Sequence, residues 1–216
     1  MRFLCLHGGS TSGEIFEIQS GGLVQPLEAK GHEFTFINGR LNSDCEPELR
    51  GIVPPPFFNH YPRDIAPGDD LLKAIEYTLR TMQREGPFDA VMGFSQGAAL
   101  AYSLLLHHAE KNGPSAPPLF KAAVFICAGA PYELSGKRAF SIPEGAEYPV
   151  KIPTAHIVGK QDSLYAQGVK LYGLCEPSKA ELYDHGSKHM IPFDPKNNDA
   201  MVGVIEKVIE RASKEN

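Results

Sequence analysis

With 216 residues, 42% of them hydrophobic and 22% charged, the chain is long enough to bury a sizeable core, and it reads as one soluble globular domain over residues 1–216. The 21 Lys and Arg against 26 Asp and Glu leave a formal charge of −5 with no basic stripe, which argues against a nucleic-acid partner. No run approaches the ~18–20 apolar residues of a membrane span. The opening apolar run is too short for a signal-peptide core, and Cys5, Cys45, Cys127 and Cys175 form no C-x-x-C pair, so a reducing, cytoplasmic setting is expected.

Residues 2–6 are a compact apolar segment, the predicted first strand, and lead into a Gly/Ser/Thr loop over 8–13. Residues 14–30 show helical spacing of Ile15, Ile18, Leu23 and Leu27, broken by Gly21-Gly22 and Pro26. Residues 34–37 alternate little, which predicts a strand buried on both faces. No periodicity runs through 38–68, a stretch that holds Pro54-Pro55-Pro56-Phe57-Phe58-Asn59-His60-Tyr61-Pro62. A loop of that length carrying aromatics is expected to be functional, a cap over a site.

Residues 69–84 predict a helix, with Asp69 and Asp70 favourable at its start and Leu71, Leu72, Ile75, Leu79 and Met82 on one face. Gly86-Pro87 ends it. An apolar strand over 88–92 then leads to Ser95 and to a helical run over 96–109. Residues 112–118 read as a turn region, 122–127 as a buried strand, and 128–149 as a second irregular, cap-like stretch. A strand over 154–158, helical spacing over 161–174, a last strand over 179–183 and an amphipathic helix over 200–212 complete the chain. Strands alternating with helices predict an α/β fold with a mostly parallel central sheet, helices on both faces and reactive groups at the carboxyl ends of the strands.

Gly93-Phe94-Ser95-Gln96-Gly97 has the Gly-x-Ser-x-Gly spacing of a nucleophile elbow, a sharp strand-to-helix turn that exposes a serine hydroxyl. A serine needs a base, and the chain order expected around an elbow is Ser, then Asp or Glu, then His. Of the eight histidines, His185 and His189 follow the last strand. His189 is chosen because four further residues let the loop swing back over the sheet edge, and His185 is read as a structural or pocket-wall residue. Asp162, just after the 154–158 strand, is the acid, with Asp184, Asp194 and Asp199 as alternatives. The oxyanion donors are expected to be the N–H of Gln96 and one from the loop after the first strand, Gly9 first and Ser10 second. Phe57, Phe58 and Tyr61 are candidates for an apolar substrate pocket. No histidine/carboxylate cluster shows metal-ligand spacing, so neither a metal nor a cofactor is expected.

These residues resemble the fungal-type serine hydrolases (FSH-like) of the α/β-hydrolase superfamily over nearly the whole chain. The resemblance rests on Leu4-Cys5-Leu6-His7-Gly8, on Ser12-Gly13-Glu14-Ile15-Phe16 with Gln19-Ser20-Gly21, and above all on the run from Gly86-Pro87-Phe88-Asp89 to Gly93-Phe94-Ser95-Gln96-Gly97-Ala98-Ala99. It continues through Ile152-Pro153-Thr154-Ala155-His156-Ile157-Val158-Gly159 with Asp162, and through His189-Met190-Ile191-Pro192. The resemblance implies an α/β-hydrolase fold with Ser95, Asp162 and His189 as triad. It also implies esterase or thioesterase activity; some members release polyketide chains from the carrier domain of a synthase in secondary metabolism. Ser187-Lys188 stand where the family often has two glycines. The function classes are therefore a general carboxylesterase on small esters, a thioesterase serving an acyl-carrier domain, and a non-catalytic binding module. An intact Ser/Asp/His set counts against the last.

Overall fold

The computed structural model describes residues 1–113 and 115–215; Pro114, within the turn expected over 112–118, lies outside the described residues. In chain order the strands are β1 (Arg2–Leu6), β2 (Glu33–Ile37), β3 (Leu41–Ser43), β4 (Phe57–Asn59), β5 (Ala90–Phe94), β6 (Ala122–Ile126), β7 (Thr154–Val158) and β8 (Ala180–Asp184). The helices are α1 (Gly13–Glu28), α2 (Asp69–Glu85), α3 (Gln96–Asn112), α4 (Tyr165–Tyr172) and α5 (Pro195–Lys214). Six strands form one parallel sheet in the order β2-β1-β5-β6-β7-β8.

Both faces of this sheet are covered, which is why its central strands are apolar at every position. Alternate residues feed two separate cores. Leu4, Leu6, Val91 and Phe125 pack with Leu71 and Ile75 of α2, Leu100 and Leu104 of α3 and Leu171 of α4. Phe3, Cys5, Met92 and Val124 pack with Phe16 and Leu23 of α1 and with Met201, Ile205 and Val208 of α5.

Four elements depart from expectation. β2 is an edge strand, so only Ile37 is buried while Phe34, Thr35 and Phe36 stay half-exposed. α1 runs unbroken through Gly21, Gly22 and Pro26. A proline inside a helix costs ~3 kcal/mol, but Leu23, Val24 and Leu27 on the same turns are buried, and each contributes roughly 1.5–3 kcal/mol. Gly22 has a packing reason, since a Cβ there would lie 2.6 Å from Asn198 Nδ2 of α5. α5 starts earlier than its apolar pattern, because the Asp194 carboxylate accepts from the Asn197 N–H at 3.0 Å and Pro195 suits the first turn. The 38–68 stretch is not structureless. It holds an antiparallel β3–β4 pair with register Leu41↔Asn59, Asn42↔Phe58 and Ser43↔Phe57, and a short 3-10 turn over Pro47–Leu49. No helix among the described residues is long and apolar enough to cross a membrane.

From β1 the chain moves to β2 on one side of the sheet, and β5 pairs with β1 on the other. The crevice at the carboxyl ends of β1 and β5 is thus the topological switch point, where ligands gather in open α/β sheets.

Candidate active site

Ser95 sits at that point, between β5 and α3, with φ +54° and ψ −115°. A non-glycine residue there is strained by roughly 1–3 kcal/mol, held only by its surroundings. The flanking glycines provide the hold, through space and not through φ. A Cβ at Gly97 would lie 2.0 Å from the Leu6 carbonyl oxygen of β1, and one at Gly93 would lie 2.5 Å from the Gly97 oxygen. The Ser95 N–H donates to Ile126 O at 2.9 Å, fixing the turn against β6.

The Ser95 hydroxyl lies 3.0 Å from His189 Nε2, and His189 Nδ1 lies 2.8 Å from Asp162 Oδ2. A carboxylate at Nδ1 places the imidazole proton there and leaves Nε2 to accept from the hydroxyl. The other Asp162 oxygen accepts from the Leu164 N–H at 2.8 Å. Burial opposes ionisation of Asp162, but hydrogen bonds from His189 and the Leu164 N–H outweigh it and hold its pKa below the ordinary value. The acid's side chain is 1% exposed and the base's 31%, so the carboxylate is sealed while the imidazole faces the cavity. The Phe94 ring, 5.0 Å from the imidazole, backs it.

The acid and base loops meet at Gly159, where a Cβ would lie 2.3 Å from Ser187 O and 2.5 Å from His185 Cε1. His185 stands outside the Ser–His–Asp chain. Its Nδ1 accepts from the Ser187 N–H at 3.1 Å, so the proton is on Nε2, directed at Cys127 Sγ 3.5 Å away. Asp184 accepts from the N–H groups of Lys160 and Gly186, and Asp194 caps α5. Spacing alone hid one neighbour: Cys127, at φ +46° just past β6, whose thiol is pushed up by burial and by the Asp162 carboxylate. Cys127, Asp162 and His189 place one sulfur, oxygen and nitrogen within 4.8 Å of one another, a donor set suited to a metal. Here two of those donors are hydrogen-bonded to each other.

A cavity of about 700 Å³ opens over Ser95 and His189, and Gly9 and Gln96 line it. Neither the Gly9 nor the Gln96 N–H has a hydrogen-bond partner among the described residues. The Ser10 N–H donates to Asn59 Oδ1 at 2.7 Å, which removes it as an oxyanion donor. Tyr61 is buried and lines the cavity, whereas Phe57 and Phe58 do not. Both belong to the β3–β4 ladder, and the Phe58 N–H bonds Thr11 O at 2.6 Å. The apolar wall comes instead from Ile18, Ile52, Ile65, Met190 and Phe193, all exposed large hydrophobics at the cavity. Ile18 carried the spacing of a core residue, and Phe193 lay four positions past His189; neither bore a local mark of a pocket.

Two further histidines support the β1 loop. His7 Nε2 accepts from the Gly39 N–H at 2.9 Å, so its Nδ1–H donates to Gly8 O at 2.6 Å. His60 Nε2–H donates to His7 O at 3.0 Å. Burial lowers His7 to about 4 and His60 well below the ordinary value, so both are neutral donors.

The serine hydrolase (FSH1) family model matches residues 1–201. An esterase of Fusarium mangiferae, FPY3, is 34% identical, covering 98% of this chain and 98% of its own. Among solved structures, acyl-protein thioesterase 2 of Zea mays superposes with a TM-score of 0.63 at 19% identity, over 96% of this chain and 93% of its own. A carboxylesterase of Mesorhizobium loti does so at 0.63 and 17%, over 95% and 88%. These likenesses show the α/β-hydrolase fold.

Proposed function

The chain belongs to the FSH1 family of serine hydrolases and is an enzyme of esterase type, and from that membership we propose that it cleaves an ester or thioester through an acyl-enzyme on Ser95. The observation that carries the reading is the unbroken Ser95–His189–Asp162 chain of hydrogen bonds opening onto the cavity. Ser95 Oγ attacks the carbonyl carbon as His189 Nε2 takes its proton. The resulting oxyanion is held by the Gly9 and Gln96 N–H groups, which have no other partner among the described residues. His189 then protonates the leaving alcohol or thiol. Water, deprotonated by the same nitrogen, releases the acid and restores Ser95. Asp162 fixes the imidazole tautomer and stabilises the imidazolium throughout.

The apolar cavity wall supports an extended acyl chain as substrate. Release of an acyl or polyketide chain in secondary metabolism is the role this favours, and an acyl-carrier domain is then the donor. Four free cysteines, with Cys5, Cys127 and Cys175 buried, support a reducing, cytoplasmic setting. A fluorophosphonate probe tests the core of the reading: the wild type is labelled and Ser95→Ala is not. Labelling that persists in the variant sinks the assignment. Matched oxygen esters and carrier-bound thioesters then separate a general carboxylesterase from a thioesterase.

A further inference from the structure

The 38–68 stretch does more than wall the cavity. Its β4 end bonds the chain neighbour of one proposed oxyanion donor and the side chain of the residue that carries the other. Asn59, the last residue of β4, accepts the Ser10 N–H on Oδ1 at 2.7 Å, next to Gly9 in the chain. Ser10 has φ +58°, a conformation that costs a non-glycine residue free energy and needs a partner to hold it. The Asn59 Nδ2 donates to Ser43 Oγ at 3.0 Å, and Ser43 Oγ in turn donates to Asp44 O. The Ser10 hydroxyl completes the group by donating to Ser43 Oγ at 2.9 Å. The loop is thus gripped at backbone and side chain by two residues of the β3–β4 pair.

The two residues that follow β4 reach the side chain of Gln96, whose N–H is the other donor. The Gln96 carboxamide accepts from the His60 N–H at 2.9 Å and donates to the Tyr61 carbonyl at 2.9 Å. Residues 59–61 therefore hold Ser10 by the Asn59 side chain and Gln96 by their own backbone. Gly39 permits this placement, because a Cβ there would lie 2.5 Å from Asn59 O.

We propose that Asn59 is a positioning residue for ester hydrolysis: by taking the Ser10 N–H it sets the angle at which the Gly9 N–H meets the developing oxyanion. Its effect falls on the transition state, since the oxyanion exists only there. The inference rests on the reading of Ser95 as nucleophile.

The test compares wild type, Asn59→Leu and Asn59→Asp on an acyl p-nitrophenyl ester. Asn59→Leu keeps the shape and removes both hydrogen-bonding groups. It is expected to lower kcat about tenfold or more, within the ~10²–10³ range of a lost donor, while KM stays within about twofold, the split that marks an interaction made only in the transition state. Asn59→Asp keeps the acceptor for the Ser10 N–H and is expected to recover most of kcat. Inhibition by a trifluoromethyl ketone, whose adduct carries the oxyanion, should weaken in step with kcat in Asn59→Leu. A kcat within twofold of wild type in Asn59→Leu overturns the proposal, and so does a loss that Asn59→Asp fails to recover. Should Asn59→Leu not fold, Asn59→Asp and Ser43→Ala decide. Near-wild-type kcat in the first with a several-fold loss in the second supports the proposal, and any other pattern overturns it. All proteins are first titrated with the fluorophosphonate probe. A Ser95→Ala protein that still turns over ester refutes the nucleophile. Full labelling of an Asn59→Leu protein with normal kcat refutes the Asn59 role alone.

Discussion

His156 should make this protein acid-labile, and it isolates the effect more cleanly than its fellow histidines. It lies inside β7, fully buried, with Nε2 3.0 Å from Thr154 Oγ1 and with Nδ1 unpartnered among the described residues. The rings of Phe125 and Tyr172 pack on it at 5.1 Å and 5.2 Å. Burial lowers its pKa from 6.5 to about 3, as it lowers His7 from 6.5 to about 4. Both folded-state values are depressed, so as the pH falls the unfolded chain takes up protons first. Stability is therefore lost from pH 6.5 downward, until each folded-state value is passed. At pH 4.5 each histidine is protonated about two units more favourably in the unfolded chain, roughly 2.7 kcal/mol each at ~1.36 kcal/mol per unit. Together they remove about 5 kcal/mol from a stability that in domains of this kind is typically ~5–15 kcal/mol. His60, also lowered, adds to the same slope. Urea unfolding followed by circular dichroism between pH 7 and pH 5 measures the effect. In His156→Leu the slope against pH should fall by about one proton, ~1.4 kcal/mol per pH unit. At pH 7 the variant should lie within about 1.5 kcal/mol of wild type, since it loses one modest hydrogen bond and sheds an unpaired buried nitrogen. An unchanged slope between pH 6 and pH 5 would refute the reasoning.

Gly159→Ala pushes a methyl against Ser187 O and His185 Cε1, at 2.3 Å and 2.5 Å in the present geometry. It should lower kcat by about 10²-fold or more, because a displacement of about 1 Å at the reacting groups costs that much, with a lower melting temperature as the second readout; full activity would show that the acid and base loops do not depend on this contact. The cavity wall is expected to read chain length: kcat/KM rises from acetyl to decanoyl esters, and Phe193→Ala flattens that rise by weakening the decanoyl ester more than the acetyl. A flat wild-type profile, or an equal effect of Phe193→Ala on both esters, counts against an apolar acyl site.

The sheet and its helices were legible because they depend on patterns local to each segment. The apolar runs of β1, β5, β6 and β7 mark strands covered on both faces, and the elbow spacing marks a strand-to-helix turn. Chain order then pointed to Asp162 and His189, which the fold brings within hydrogen-bond distance of each other, with His189 also reaching Ser95. What stayed hidden depends on contacts between distant segments. Phe57 and Phe58 have the composition of a pocket wall, yet β3 captures them in a ladder. Ile18 has core spacing, yet its helix turns that residue to the cavity. Cys127 gains its place beside Asp162 only once β6 and β7 pair. Asn59 is unremarkable in sequence, because its partners Ser10 and Ser43 lie 49 and 16 residues away.

The strain at Ser95 ties the site to the sheet. Its φ of +54° persists because the first turn of α3 is pressed onto β1 so closely that Gly97 admits no side chain beside Leu6 O. β1 and β5 are also the paired strands that lead into the Gly9 loop and into Ser95, with Leu6 opposite Gly93. The packing that enforces the elbow therefore also sets the distance from Ser95 to the β1 loop. Asn59 and the Gln96 carboxamide join the 59–61 segment to both sides of that junction. A change that loosens α3 against β1 should then act twice, relaxing the serine and moving the Gly9 N–H. Loss of activity at this junction should accordingly precede loss of the fold.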